Sequence, residues 1–224
     1  MNLDSFSLFL VALSGLSWTI VYLDSIRLGF RDRTYAMPFW ALALNATWEF
    51  LHAVMGYQQE GFSLQIVINA VWFILDVGIF YTYFRFGRKY FPEILQAHWF
   101  YVWSFLGLLT AFLIQYFFVT EFGLLPGGAY AAFLQNLLMS ILFINMLVQR
   151  RSREGQSLII GISKWLGTLA PTILFGFLGS GTFGPSPLVL VLGIFCSIFD
   201  LIYIWMLVRL KANEKRGESI TTLL

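Results

Sequence analysis

Seven stretches of the chain, 7–22, 37–55, 62–84, 99–119, 129–148, 158–179 and 187–208, are almost continuously apolar and are parted by short polar connections. Most approach the ~20 residues that an α-helix needs to cross the hydrocarbon core of a bilayer. The pattern predicts an all-α integral membrane protein, a bundle of seven transmembrane helices. Residues 1–210 form a single membrane domain in this scheme, and 211–224 a short basic tail. The first stretch reads as a span rather than a secretory signal, because Met1, Asn2, Leu3 and Asp4 supply no basic flank.

Lysine and arginine alternate with these stretches. Arg27, Arg31 and Arg33 follow the first, Arg85, Arg88 and Lys89 the third, Arg150, Arg151 and Arg153 the fifth, and Arg209, Lys211, Lys215 and Arg216 the last. The intervening connections at 58–61, 120–128 and 180–186 contain none. By the positive-inside rule, an odd number of spans then places the N-terminus outside or lumenal and the C-terminus in the cytoplasm. Lys164 is the one basic residue outside this scheme.

Composition agrees with a membrane protein: 58% of residues are hydrophobic and only 12% charged. A net charge of +2, spread over short connections, offers no nucleic-acid surface. Cys196 is the sole cysteine, which excludes an intramolecular disulfide or a thiolate cluster, and with only His52 and His98 as imidazoles no metal site is expected.

Against this apolar background three carboxylates stand out, Glu49, Asp76 and Asp200. An ionised acid at the bilayer centre costs roughly 2.5–3.5 kcal/mol on insertion scales, so such residues mark a functional interior or bind helices together. Helical spacing puts Asn45, Trp48, Glu49 and His52 on one face, and Asn69, Trp72, Phe73 and Asp76 on another. Segment six presents Lys164, Trp165 and Thr168, and segment seven Cys196, Asp200 and Tyr203. At ~1.5 Å per residue Lys164 lies ~9 Å inside its helix, within reach of the interface or of an interior counter-ion.

These residue types suit carbocation chemistry. A carboxyl group shielded from water favours its neutral, proton-bearing form. Protonation of an epoxide or alkene in an isoprenoid would yield a cation that aromatic faces stabilise and a dry cavity protects from quenching. Proton-coupled transporters use the same ingredients, so a small-molecule transporter or channel is the alternative. That class would show discontinuous helices and paired repeats.

Several motifs recur in order: Arg33-Thr-Tyr-Ala-Met-Pro38, Asn45-Ala-Thr-Trp-Glu49, Trp72 with Asp76, Gly155-Gln-Ser157, Lys164, Gly167-Thr-Leu-Ala170, and Phe199-Asp-Leu-Ile-Tyr203. Together they resemble the membrane-bound terpene cyclases of meroterpenoid pathways, the family named after the pyripyropene cyclase, with a relative in paxilline biosynthesis. The resemblance implies a non-redox, metal-independent and cofactor-free cyclisation of a prenylated, often epoxidised, aromatic or indole precursor. It implies Glu49 and Asp200 as the essential acids, either of them the proton donor. Asp76, Asn45, Asn69 and Lys164 would support them, and Trp48, Phe73, Trp165 and Tyr203 would line the substrate. The chain lacks both DDxxD and DxDD, the motifs of diphosphate-ionising and soluble proton-initiated cyclases. Expected partners are the bilayer, a lipophilic substrate and an upstream prenyltransferase and epoxidase. The membrane would be the endoplasmic reticulum in a eukaryote or the plasma membrane in a bacterium.

Overall fold

The computed structural model describes residues 4–179 and 183–216; residues 1–3, part of the 180–186 connection and 217–224 of the basic tail lie outside the described residues. Seven long helices follow in order: α1 (Ser5–Arg31), α2 (Phe39–Glu60), α3 (Leu64–Phe86), α4 (His98–Phe122), α5 (Leu124–Arg150), α6 (Leu158–Pro171) and α7 (Pro187–Arg216). A 3₁₀ turn, Gly87–Tyr90, extends α3, and a π-helical segment, Thr172–Leu178, extends α6.

Local chemistry sets several boundaries. Asp4, Ser63 and Ser157 each accept a hydrogen bond from the backbone N–H three residues on, capping α1, α3 and α6. Pro187 opens α7, where its missing N–H leaves no bond unmade. Helix α1 outruns its apolar stretch to Arg31, so Arg27 and Arg31 are helical rather than in a connection.

Around the bundle the helices touch in the order α1, α3, α2, α4, α5, α7, α6 and back to α1, with α2 also against α5. The closed ring buries a main core, built from Trp18, Tyr22, Ile79, Met139, Phe143, Ile160 and Tyr203 among others, with smaller apolar clusters beside it. Large apolar side chains such as Phe105, Phe117, Ile141 and Leu188 face outward, as a lipid-bathed surface requires.

The structure corrects the expectation of seven transmembrane helices. Among the described residues six helices are long and apolar enough to cross a membrane: α1, α3, α4, α5, α6 with its extension, and α7. Helix α2 is not one of them. It carries Asn45, Glu49 and His52, which are buried, and Gln58 and Gln59, which are exposed near its C-terminal end, and it is packed by α3, α4 and α5. An apolar stretch therefore did not mean a span here. The termini assigned from an odd number of spans lose their basis with it.

The contact between α1 and α6 turns on Pro171. A proline has no N–H, which leaves the carbonyl four residues earlier without its helical partner. That carbonyl belongs to Gly167, and Ser14 Oγ of α1 donates to it at 2.8 Å. The absent side chain of Gly167 admits the Trp18 indole, whose ring atoms would lie 2.9 Å from a Cβ placed there.

Candidate active site

Glu49 belongs to a buried polar cluster shared by α1, α2 and α3, with Asn45 as its hub. The three deep acids are all enclosed, with Glu49 3%, Asp76 0% and Asp200 1% exposed. Asn45, one helical turn before Glu49, donates through Nδ2 to Asp76 Oδ2 at 2.8 Å and to the Tyr22 hydroxyl at 2.7 Å. Tyr22 in turn donates to Glu49 Oε1 at 3.4 Å. The two helix faces read from spacing thus meet directly through Asn45 and Asp76, and Tyr22, which spacing did not indicate, links Asn45 to Glu49. Glu49 Oε2 and Asp76 Oδ1 are buried without a hydrogen-bond partner.

Behind Asn45 the polar chain continues toward α4. Gln135 Nε2 donates to Asn45 Oδ1 at 3.3 Å, and Gln115 Nε2 donates to Gln135 Oε1 at 2.6 Å and to the Leu44 carbonyl at 3.3 Å. Tyr22 is wedged between the Trp18 and Trp72 rings, at centroid distances of 6.3 and 5.8 Å.

Asp200 belongs to a different group. Lys164 Nζ donates to its two oxygens at 2.8 and 2.9 Å and to Ser140 Oγ at 2.6 Å, which uses all three ammonium hydrogens. Lys164 is completely buried, so it is the interior counter-ion and not an interfacial anchor. Glu49 and Asp200 make no direct contact. Their helices α2 and α7 both pack on α5, across the ring from each other. Three more buried polar atoms without partners lie on the intervening helices: Asn136 Oδ1 on α5, and Trp165 Nε1 and Thr168 Oγ1 on α6.

The remaining expected site residues scatter. Trp48 stacks on His52 at 3.9 Å and donates its indole N–H to the Gly128 carbonyl, turning away from Glu49 toward α5. Phe73 packs against Phe50, at 5.4 Å. Asn69 accepts from Gln65 at 2.7 Å and does not reach the acids. Tyr203 rests against Phe143 and donates to Gln156 Oε1 at 3.1 Å.

The loop motifs form a clasp at the arginine-rich end of the bundle. Gly155, at φ +69°, donates its N–H to Asp32, Gln156 receives Tyr203, and Ser157 caps α6 while bonding Asp24 at 2.6 Å. Arg150 lies between the rings of Tyr35 and Tyr90 and donates to the Tyr35 and Glu154 carbonyls. Arg31, hydrogen-bonded to Asp32, holds that carboxyl below the usual carboxylate range, helped by the Gly155 N–H and opposed by partial burial.

A family model described as Pyr4-like transmembrane terpene cyclases matches residues 2–213. The chain belongs to this family. Among curated relatives, it is 29% identical to the Pyr4-family terpene cyclase mfmH of Annulohypoxylon moriforme, over 92% of this chain and 87% of that protein. It is 26% identical to the terpene cyclase pyr4 of Aspergillus fumigatus, over 91% and 86%. The terpene cyclase macJ of Penicillium terrestre is 43% identical over a shorter stretch, 33% of this chain and 28% of macJ. No solved structure matches. The protein is therefore a multi-pass membrane terpene cyclase, and the interior of its helix ring is the place to seek the chemistry.

Four residues of that interior escaped the sequence reading: Tyr22, Gln115, Gln135 and Ser140. The two glutamines carried a usable signal, since a lone amide inside an apolar helix needs a partner as an acid does. Tyr22 and Ser140 carried none, being ordinary residues of membrane helices.

Proposed function

We propose that this cyclase converts a prenylated aromatic or indole, with a terminal epoxide or alkene, by a proton-initiated cascade in which Glu49 is the general acid. The observation that carries this is an asymmetry between the two acids. Glu49 has a buried oxygen, Oε2, with no partner, whereas both oxygens of Asp200 are occupied by an ammonium group. An acid held only by neutral donors suits the proton-bearing form, and one paired with a cation suits the ionised form.

In the first step the Glu49 proton passes to the epoxide oxygen as a C–O bond breaks, or to the terminal alkene carbon as the π bond is consumed. The resulting cation is attacked by successive alkenes, each forming one C–C bond and moving the positive charge along the chain. Loss of a proton from the last cation restores an alkene or aromatic ring. Asp200, still anionic beside Lys164, is assigned as the acceptor. Exchange with solvent returns one proton to Glu49 and removes one from Asp200, so product and substrate share one formula. Trp18 and Trp165 supply aromatic surface for the cation, and neither metal nor redox cofactor enters any step. Asp76, hydrogen-bonded to Asn45, supports the acid rather than replacing it. The substrate requires a prenyltransferase upstream and, where an epoxide is used, an epoxidase.

Membranes containing the protein, supplied with a farnesylated phenol or indole with and without a terminal epoxide, are expected to yield a new product of unchanged mass. Conversion of neither substrate, or conversion undiminished in Glu49→Gln, overturns the proposal.

A further inference from the structure

The amide chain behind Glu49 has a single consistent direction. It begins at the Leu44 carbonyl, which can only accept, so the atom of Gln115 that faces it at 3.3 Å is nitrogen. The same nitrogen faces Gln135 at 2.6 Å, which makes the Gln135 atom an oxygen and turns its NH₂ toward Asn45 Oδ1. Asn45 must then direct its own NH₂ at Asp76 and Tyr22. Turning over any one of these amides would set donor against donor or oxygen against oxygen. Tyr22, having accepted from Asn45, has its hydroxyl hydrogen free for Glu49 Oε1.

The direction has a consequence at the acid. A neutral carboxyl group that accepts a hydrogen bond on one oxygen keeps its proton on the other. With Oε1 receiving Tyr22, the proton resides on Oε2, the oxygen left without a protein partner. We infer that Tyr22 is the positioning residue of the initiating acid, and that Gln115 and Gln135, anchored on the Leu44 carbonyl, set the direction from which it acts. The inference rests on Glu49 as general acid. None of the three residues need touch the substrate. The indoles of Trp18 and Trp72 on either side of the Tyr22 ring restrict its swing, and Trp72 is itself tied to Thr19 Oγ1 at 3.1 Å.

The test uses the full-length protein in membranes with an epoxidised farnesyl phenol. Tyr22→Phe keeps the ring and removes the donor, and kcat is expected to fall roughly 10- to 100-fold with KM little changed, the loss typical of a misplaced reacting group. Gln135→Leu should lower kcat in the same direction by a smaller factor. Ring-fluorinated tyrosines at position 22 preserve shape and hydroxyl while strengthening the donor, so kcat should vary steadily with phenol acidity. A tyrosine that only packs would leave kcat flat across that series.

Wild-type kcat in Tyr22→Phe, or a flat fluorotyrosine series, overturns the inference, and the series decides if the phenylalanine variant does not fold. The two levels separate cleanly. An inactive Glu49→Gln beside a flat Tyr22 series removes the positioning role alone, whereas an active Glu49→Gln removes the acid assignment itself.

Discussion

Two buried carboxylates of this cyclase meet opposite surroundings. Glu49 is held by one long hydrogen bond from a neutral phenol and leaves an oxygen unpartnered, whereas Asp200 is gripped by an ammonium group whose three hydrogens are all used. Burial alone therefore does not define a catalytic acid. What separates the two is the charge of the partner and whether an oxygen is left over. In the proposed mechanism the first site gives up the proton, while the second is held by a dedicated partner, Lys164.

Removing the acid should have the largest effect. Glu49→Gln keeps the shape and the Tyr22 contact and loses the proton, and general acid catalysis is worth roughly 10²- to 10⁴-fold. Turnover of an epoxidised farnesyl phenol should fall in that range while thermal stability in detergent holds. A comparable loss of stability would instead make Glu49 a structural residue.

The ion pair should respond in stability first. Lys164→Met leaves Asp200 buried without its counter-ion, a change worth about 3–5 kcal/mol. Adding Asp200→Leu should recover much of that stability without recovering activity. If the double variant cyclises substrate normally, Asp200 has no part in the chemistry, and the contrast between the two acids becomes absolute.

Packing around the first site predicts a smaller change. Gly167→Ala places a methyl group 2.9 Å from the Trp18 ring, beside Tyr22. Overpacking of this kind costs typically about 1–3 kcal/mol, measurable as a lower melting temperature, with some loss of turnover as Tyr22 shifts.

The smallest effect is expected at the loop clasp, outside the membrane. Asp32 titrates below its usual range because of Arg31, so its contribution to stability is complete above the unfolded value of ~3.9 and is lost as pH falls through the lower folded value. Stability followed from about pH 5 downward should decline less steeply in Asp32→Asn than in the wild type. Equal acid slopes would show that the clasp does not depend on this charge.

Much of the architecture was legible in advance. The seven apolar stretches all became helices, because a helix satisfies its backbone hydrogen bonds within the segment, as burial in lipid or in protein requires. Their roles were less legible. Helix α2 looked like its neighbours by length, yet it buries Asn45, Glu49 and His52 among other helices and is not among the six candidate spans. At the site, the i, i+3, i+4 spacing put Asn45 on one face with Glu49 and Asp76 on another with Asn69, but it could not say that the two faces would meet, or that Trp48 would turn toward Gly128 and Phe73 toward Phe50. Spacing assigns a helix face. It does not assign the neighbour that face meets.

By itself, the sequence determined that this is a helical membrane protein, that Glu49, Asp76 and Asp200 lie where an acid needs a reason, and that an ordered set of motifs marks a terpene cyclase. Each is a property of local composition, period or order along the chain. Tertiary structure alone decided that Lys164 turns inward to Asp200, that Tyr22 bridges Asn45 and Glu49, and that two glutamines anchor the chain behind them. Those pairings join residues 20 to 90 positions apart on different helices. A flexible lysine stem and a freely turning amide each have several destinations until packing removes all but one.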